Sequence, residues 1–242
     1  GTPVDEYLNP KFENFFNLFY NLKEILKKNQ TIIIRSSVYP KTCQRLAEIV
    51  NNNIAYCPER IVQGSSISEM AKLPQIVSGF SKTAINNSSK LFRLISKKII
   101  ITTVLEAELI KLFSNSWRYV NFAVSNQFFM IASNLDINYS RSRKLMIDGY
   151  ERNKSIPMAG FAAGPCLLKD TMQLTSFTEN NFNLGHNAML INEGLPSFIV
   201  ENLKKKCDIR NKKVGILGLT FKSNVDDIRD SLSFKLIKIL KL

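Results

Sequence analysis

The sequence has few of the residues from which metal centres and disulfide frameworks are built. Among its 242 residues are one histidine and four cysteines, and the cysteines lie far apart without a CxxC pair. Such spacing argues against a zinc site or a disulfide framework and favours a reducing compartment. No apolar run reaches the roughly 18 residues of a membrane helix, and no signal-peptide pattern is present. We therefore expect a cytoplasmic protein with neither a metal site nor a membrane partner.

Acidic residues are also scarce, since 20 of them stand against 33 lysines and arginines and leave a formal net charge of +13. A positive balance suits anionic partners such as nucleic acid, an acidic membrane surface or a phosphorylated small molecule. The alternative is that the lysines are solvated surface, because several cluster at the ends of predicted helices and strands. No arginine-rich run or RNP-like aromatic motif accompanies them, so we expect no nucleic-acid partner.

The first hundred residues alternate between two periodicities. The runs TIIIRSS, IAYCPER, QIVSG and KKIIITT predict strands, because they are short, β-branched or apolar, and bounded by turn residues. The segments between them, and KFENFFNLFYNLKEILKK before them, carry apolar residues at helical spacing. This alternation is typical of an α/β layer with a parallel sheet.

From Leu105 the pattern becomes mainly helical. About thirty residues keep a helical period without glycine or proline, as in helices that span domains or form dimer interfaces. Near the end, VGILGL predicts a strand that enters a glycine turn, as in the first strand of a Rossmann-like domain. The turn reads GxxG, and no GxGxxG occurs in the sequence. Both ends fall in mid-pattern, so we expect a piece of a longer protein.

The stretch GFAAGPCLLKDT surrounds Cys166 with glycine, alanine and proline. A thiol reacts as its thiolate, which nearby cations and helix N-termini favour. Lys169 supplies a cation, and a helix predicted from about that point places the thiol near its N-terminus, with the carboxylate of Asp170 in reach. Gly160 and Gly164 lack side chains, so that a bulky ligand could approach the backbone. The alternative is a small buried cysteine that packs beneath a turn.

Two other patterns carry polar groups suited to catalysis. Lys111 and Asn115 are four apart on the long predicted helix, so one face presents an ammonium and an amide that could hold an oxyanion. Glu59 follows a predicted strand end, where open α/β sheets bind ligands and a glutamate could act as a general base. The alternatives are an ordinary polar helix face and a loop carboxylate paired with Arg60.

The order of these motifs resembles that of the nucleotide-sugar 6-dehydrogenases, the UDP-glucose/GDP-mannose dehydrogenase family. The matching segments are TPVDE, IIIRSSVYP, CPER, AELIKLFSNSW, GFAAGPCLLKDT and GILGLTFKSNVDDIRDS. The resemblance covers essentially the whole chain. It implies NAD-dependent oxidation of the C6 hydroxyl of a UDP-sugar to the uronate, in the supply of polysaccharide precursors.

The resemblance also implies catalytic roles. Cys166 matches the cysteine that forms a thiohemiacetal and then a thioester with the sugar. Lys111 matches a lysine that stabilises oxyanions, and Asn115 an asparagine that assists it. Asp170 and Glu59 match carboxylates implicated in activating water and in hydrolysis of the thioester.

Ligand-binding roles follow from the same resemblance. Ser37 falls where a hydroxyl residue lies near the nicotinamide of NAD, and Lys169 matches a lysine that faces cofactor and substrate phosphates. The residues implied in binding the nucleotide sugar are Gly160, Phe161, Gly164, Lys222 and Arg229. The PER form of the strand-end motif favours an N-acetylhexosamine substrate.

Three domains are expected on this basis. Residues 1–104 would be the C-terminal part of an NAD-binding Rossmann-like domain, residues 105–210 a helical domain that carries the cysteine loop and forms a homodimer, and residues 211–242 the start of a UDP-sugar-binding Rossmann-like domain. The sequence departs from the family by lacking the N-terminal glycine-rich turn, and SSVYPKT replaces the usual nicotinamide loop. The alternative function is therefore a catalytically inactive remnant that serves as a dimerising or binding module.

Overall fold

The computed structural model describes most of the chain and divides it into two compact units. The described residues are 4–5, 11–62, 64, 66–162 and 164–241. The first unit comprises Gly1–Ser114 and Ser176–Thr178, and the second Asn115–Thr175 and Glu179–Leu242.

The first unit is an α/β layer whose helices and strands alternate along the chain. In chain order they are α1 (Glu13–Leu22), β1 (Thr31–Ile34), α2 (Thr42–Ile49), β2 (Asn53–Tyr56), α3 (Ser66–Lys72), β3 (Gln75–Gly79), α4 (Lys82–Arg93) and β4 (Ile99–Ile101). The predicted α/β class is confirmed. The helix α1 is shorter than predicted, because it ends at Leu22 and leaves Ile25 exposed rather than packed.

The four strands form one sheet in the order β1-β2-β3-β4. β1 pairs with β2 and β3 pairs with β4 in parallel, whereas β3 runs antiparallel to β2. The predicted parallel sheet is therefore confirmed for two of the three strand pairs, and the pair of β2 and β3 is the exception. The register pairs Tyr56 with Ser78 and Ala55 with Gly79, so β3 begins at the sheet edge where β2 ends. Antiparallel neighbours need no crossover connection, so the segment between β2 and β3 does not have to cross the sheet. This segment contains α3, which was not predicted from the sequence.

The second unit is helical. The long helix α5 (Val104–Asn134) contains the boundary between the units, and the later helices are α6 (Tyr139–Ile147), a 3-10 turn at Glu151–Asn153, α7 (Leu167–Phe177), α8 (Asn183–Lys206) and α9 (Leu232–Leu240). Residues of α5, α7 and α8 share one apolar core, which includes Tyr119, Leu167 and Ala188. The predicted long helix and helical second half are confirmed.

The segment VGILGL forms no strand in the part of the chain that the structure describes. Residues 214–219 have neither helical nor strand structure, and Val214, Leu217 and Leu219 are exposed. A strand needs a neighbour to satisfy its backbone N–H and C=O groups, and no described strand pairs with this segment. The predicted strand is therefore not formed.

A buried carboxylate fixes the N-terminus of α2. The residue before this helix, Lys41, has a left-handed backbone (φ 69°) and gives no side-chain cap. Instead Glu108 on α5 accepts the amide N–H of Lys41 at 2.7 Å and that of Cys43 at 3.0 Å. Burial raises the pKa of Glu108 above its ordinary value, although these hydrogen bonds oppose the shift. The cap ties the loop after β1 to α5.

Replacing Glu108 with alanine should destabilise the first unit, because the amides that it accepts lose their partner. Each amide left unpaired in the interior costs about 1–3 kcal/mol. We expect Glu108→Ala to lower the free energy of unfolding by about 2 kcal/mol or more, measured by urea unfolding. The matched control is Glu48→Ala, which removes an exposed glutamate of α2 and should cost less than about 0.5 kcal/mol. Equal losses in the two variants would contradict the capping role.

Candidate active site

Cys166 lies at the N-terminus of α7 and its side chain is exposed. The carbonyl oxygen of Cys166 accepts the amide N–H of Asp170 at 2.9 Å, which is the first hydrogen bond of the helix. Cys43 and Cys57, by contrast, are buried. Cys166 is therefore not the buried packing cysteine of the alternative interpretation, and its thiol is accessible to a ligand. Its role as a nucleophile stays a prediction.

Three of the predicted site residues form one polar cluster beside this cysteine. Asp170 is fully buried, and its Oδ2 accepts a hydrogen bond of 2.6 Å from Nδ2 of Asn115. Its Oδ1 lies 3.2 Å from Nζ of Lys169, whose side chain is also largely buried. A buried charge is tolerated when it is paired and hydrogen-bonded. The cluster therefore fixes the Asn115 amide and the Lys169 ammonium on Asp170, which is four residues after Cys166 in the first turn of α7.

The predicted cation Arg229 is also near the thiol. Its guanidinium forms paired hydrogen bonds with the carboxylate of Asp227, with Nε–Oδ1 at 3.0 Å and Nη2–Oδ2 at 2.6 Å. These bonds and the charge of Asp227 raise the pKa of Arg229, and the nearby Cys166 adds a smaller contribution in the same direction. Lys222, the other basic residue predicted to bind the nucleotide sugar, is half-buried. Arg229 thus interacts electrostatically with Cys166, while its charge is balanced by the ion pair with Asp227.

The two glycines of the cysteine loop differ in what they require. A side chain built on Gly160 would have nothing within 4 Å, so this position is open. Gly164 has φ +101°, and a Cβ there would lie 2.6 Å from the ring of Phe221. The lack of a side chain at Gly164 therefore has an internal cause, and the expectation that it makes room for a ligand is not needed. Phe161 between them is half-buried.

The cysteine loop is also held by residues from the C-terminal part of the chain, and these residues were not predicted from the sequence. The amide of Gly164 donates to the carbonyl of Asp230 at 3.3 Å, and the ring of Phe221 covers the same glycine. The only available signal was an aromatic residue next to the predicted Lys222 in an otherwise polar stretch.

Glu59 follows β2 as predicted, but its partner differs from the one considered. The carboxylate binds the guanidinium of Arg35, whereas the guanidinium of Arg60 binds the carbonyl of Pro74. Oε1 of Glu59 accepts hydrogen bonds from the backbone N–H groups of Arg60 at 2.8 Å and Ile61 at 3.0 Å. Partial burial acts to raise the pKa of Glu59, but the Arg35 hydrogen bond and charge and the two amide bonds together lower it. A carboxylate held in this way is a weaker base than a free glutamate.

Ser37 and Lys111 lie where the sequence predicts them, and both are half-buried. Ser37 follows β1, at the carboxyl end of a strand, where α/β sheets bind ligands. Lys111 is on α5, four residues before Asn115. Among the residues that the structure describes, no group of three or more histidine, cysteine or acidic residues could hold a metal ion, and no described helix is long and apolar enough to cross a membrane.

The conformation of Gly164 leads to a test with a matched glycine. We expect Gly164→Ala to lower the free energy of unfolding by about 2 kcal/mol, because alanine is strained at this φ and its Cβ meets the ring of Phe221. Gly160→Ala in the same loop should change it by less than about 0.5 kcal/mol, because its side chain would enter open space. Thermal and urea unfolding measure both. Similar effects of the two substitutions would disprove the difference between the glycines.

Comparison with known proteins gives a consistent result. Residues 1–97 match the NAD binding domain of the UDP-glucose/GDP-mannose dehydrogenase family, and residues 105–194 match the central domain of the same family. The UDP-N-acetyl-D-mannosamine dehydrogenase of Pyrococcus horikoshii is 30% identical over 234 residues, which are 90% of this chain and 56% of that protein. That of Methanocaldococcus jannaschii is 29% identical over 97% of this chain and 54% of its own length. The chain thus spans about half the length of the curated relatives that it matches.

Solved structures agree with the sequence matches. The UDP-D-ManNAc dehydrogenase from Pyrococcus horikoshii superposes with a TM-score of 0.89 at 29% identity, over 99% of this chain and 61% of that one. A UDP-N-acetyl-mannosamine dehydrogenase from Staphylococcus aureus gives a TM-score of 0.81 at 27% identity, over 99% of this chain and 60% of that one. The chain therefore belongs to the UDP-glucose/GDP-mannose dehydrogenase family.

Proposed function

We propose that the protein containing this chain oxidises the C6 hydroxyl of a UDP-N-acetylhexosamine to the uronate, with NAD as the oxidant. The relatives named as UDP-N-acetyl-D-mannosamine dehydrogenases favour the mannosamine sugar. The observation that carries the proposal is the exposed thiol of Cys166 beside the buried cluster of Asn115, Lys169 and Asp170. This arrangement occurs within the residues that match the family's central domain.

In the proposed chemistry Cys166 makes and breaks the covalent bonds. The alcohol first loses a proton and a hydride to become an aldehyde, and the thiolate sulfur then adds to the aldehyde carbon to give a thiohemiacetal. Loss of a second proton and hydride gives a thioester, which water hydrolyses to the carboxylate, returning the thiol. Splitting a four-electron oxidation in this way replaces one difficult step with several easier ones.

The surrounding residues would stabilise and position this chemistry. Lys111 and Asn115 would hold the developing oxyanion, and the hydrogen bond between Asn115 and Asp170 fixes the amide for that task. Asn115 donates one N–H of its side-chain amide to Asp170. The second N–H of that amide would donate to the oxyanion. Because Asp170 is already engaged by two partners, we assign it to holding Asn115 and Lys169 and, through them, the hydrolytic water.

Glu59 would act differently from a free general base. Its lowered pKa keeps it ionised at neutral pH, and Arg35 with two backbone amides fixes its oxygens. A carboxylate with a lowered pKa is a weak base, but it can still accept a hydrogen bond from a water molecule and so orient that water. We therefore assign Glu59 to positioning water during thioester hydrolysis.

The described residues fit one end of NAD. When bound, NAD supplies the acceptor for the hydrides. Ser37 lies at the carboxyl end of β1. Nη1 of Arg35, two residues earlier, is buried and has no hydrogen-bond partner among the residues that the structure describes, so it could donate to a ligand group. The N-terminus of α2 is already occupied by Glu108, and these 242 residues contain no GxGxxG turn. We assign the nicotinamide side of the cofactor site to this chain and not its pyrophosphate turn.

The nucleotide sugar would be bound by the cysteine loop and by cations. Gly160 is open to a ligand, Phe161 offers a half-buried ring, and Arg229 with Lys222 offers charge for the phosphates. The Asp227 carboxylate occupies the Nε–Nη2 edge of Arg229 and fixes the guanidinium, so a phosphate would meet its other edge.

A homodimer through the helical unit is the proposed assembly. On α5 the exposed apolar side chains of Trp117, Val124, Phe128 and Ile131 repeat at intervals of seven, four and three residues, so they share one helix face. Trp117 alone leaves 68% of its surface exposed. An apolar stripe of about 20 Å is unusual on a monomer, and the same stripe on a second copy would cover it symmetrically.

The catalytic proposal is tested by Cys166→Ser in the intact protein. A serine hydroxyl is a much weaker nucleophile than a thiolate, so NADH formation from UDP-N-acetylmannosamine should fall on the order of 10³-fold. Cys207→Ser, which changes the other exposed cysteine, should retain the wild-type rate. Full activity of the Cys166→Ser variant, measured as NADH absorbance, would contradict the proposed mechanism.

The dimer proposal is tested by Phe128→Asp, which places a charge in the centre of the stripe. We expect the mass measured by light scattering to fall from dimer to monomer, because burying an unpaired carboxylate is costly. The control is Arg118→Asp, one residue from Trp117 and about 100° around the helix, which should leave the dimer intact. A wild-type monomer, or an unchanged dimer in Phe128→Asp, would rule out this interface.

A further inference from the structure

The segment that leads into the cysteine loop, residues 156–160, is held by side chains from the two helices α5 and α6. Arg143 on α6 donates through Nε to the carbonyl of Ile156 at 2.9 Å and to that of Pro157 at 3.1 Å. The hydroxyl of Ser125 on α5 donates to the carbonyl of Pro157 at 2.9 Å. Backbone groups of a loop must find partners somewhere, and here side chains provide them. These side chains therefore set where the loop lies.

The most specific of these contacts comes from Asn126. This residue is fully buried on α5, and it binds both polar groups of one residue of the loop. Its Oδ1 accepts the amide N–H of Gly160 at 2.8 Å, and its Nδ2 donates to the carbonyl of Gly160 at 3.0 Å. One carboxamide thus bonds both the N–H and the C=O of Gly160. Two hydrogen bonds to the same residue fix its position and its backbone orientation.

A second buried asparagine orients the first. Oδ1 of Asn192 on α8 accepts a hydrogen bond of 2.8 Å from Nδ2 of Asn126. Nδ2 of Asn192 in turn donates to the carbonyl of Tyr119 at 3.1 Å. Nδ2 of Asn126 then donates two hydrogen bonds, one to Gly160 and one to Asn192. If the Asn126 amide were flipped, its NH2 group would face the N–H of Gly160, and its oxygen would face two acceptors. Asn192 thus locks Asn126 in the one orientation that fits Gly160.

Buried polar pairs of this kind need an explanation, because an apolar pair would avoid their desolvation cost. Fully satisfied networks of this type make the position of a neighbouring segment unique. The segment fixed here continues through Phe161 to Cys166. Its far end is fixed separately, by the bond from Gly164 to Asp230.

We propose that Asn126, locked by Asn192, is a positioning residue that places Gly160 and thereby the start of the cysteine loop, where the sugar would bind. Because Asn126 is fully buried, it would act on the sugar through the backbone of Gly160. This inference rests on the proposed function for its consequence in catalysis. Its structural part, the placement of the loop, is independent of any activity.

The test is hydrogen–deuterium exchange, read by mass spectrometry on peptides that cover residues 156–166. In Asn126→Ala the amide of Gly160 loses its acceptor, so its exchange should become faster by roughly tenfold or more. Asn192→Ala keeps the Gly160 bonds but removes the lock, so it should show a smaller rise in the same peptides. The matched control is Asn187→Ala, an exposed asparagine of α8 that bonds only within its own helix, which should change nothing there.

Two outcomes would overturn the proposal. One is unchanged exchange at residues 156–166 in Asn126→Ala. The other is a rise as large in α5 and α8 as in the loop, which would make Asn126 a general packing residue. If Asn126→Ala does not fold, the milder Asn192→Ala decides in the same way.

The catalytic consequence is measured separately in the intact protein. We expect Asn126→Ala to raise KM for the nucleotide sugar at least about fivefold while KM for NAD stays unchanged, because only the sugar-binding loop is displaced. Equal changes in both KM values would contradict a loop-specific role. If wild-type protein turns over no nucleotide sugar, the proposed function fails, and the exchange data still decide the placement of the loop.

Discussion

The hydrogen bond between Asn115 and Asp170 is the interaction on which the candidate site depends. A carboxylate with no exposed surface is stable only if its oxygens are matched, and Asn115 at 2.6 Å and Lys169 at 3.2 Å provide the match. Because Asp170 is in the first turn of α7, the same bond fixes the start of that helix and with it Cys166. One pair of side chains thus joins the long helix to the reactive loop.

Much of the fold could be predicted because its causes are local. The short β-branched or apolar runs predicted β1, β2, β3 and β4, and an uninterrupted helical period predicted α5. The antiparallel direction of β3 was not foreseen, and the strand predicted at residues 214–219 is not formed. Both depend on which segments lie next to one another in space, since strand direction and strand existence are set by a neighbour's hydrogen bonds.

Part of the candidate site could be predicted as well. Cys166, Lys169 and Asp170 could be expected to lie together because they fall within one helical turn of the sequence. Asn115 is 55 residues from Asp170, and only the family resemblance linked it to this site. The partner of Glu59 was not predictable, because Arg35 is 24 residues away and reaches it across neighbouring strand ends. Asn126 and Phe221 were missed for a related reason: they contact Gly160 and Gly164, and such contacts leave no spacing pattern. Asn192 was missed because it acts through Asn126.

The central claim is that Cys166 is an accessible thiol at the nucleotide-sugar site. It is tested most directly by the alkylation rate of Cys166 with iodoacetamide, read by peptide mass spectrometry in a Cys207→Ser background. The account predicts that labelling slows roughly tenfold when UDP-N-acetylmannosamine is present at about ten times its Kd. Labelling of Cys166 at an unchanged rate, with the nucleotide sugar bound, would contradict it.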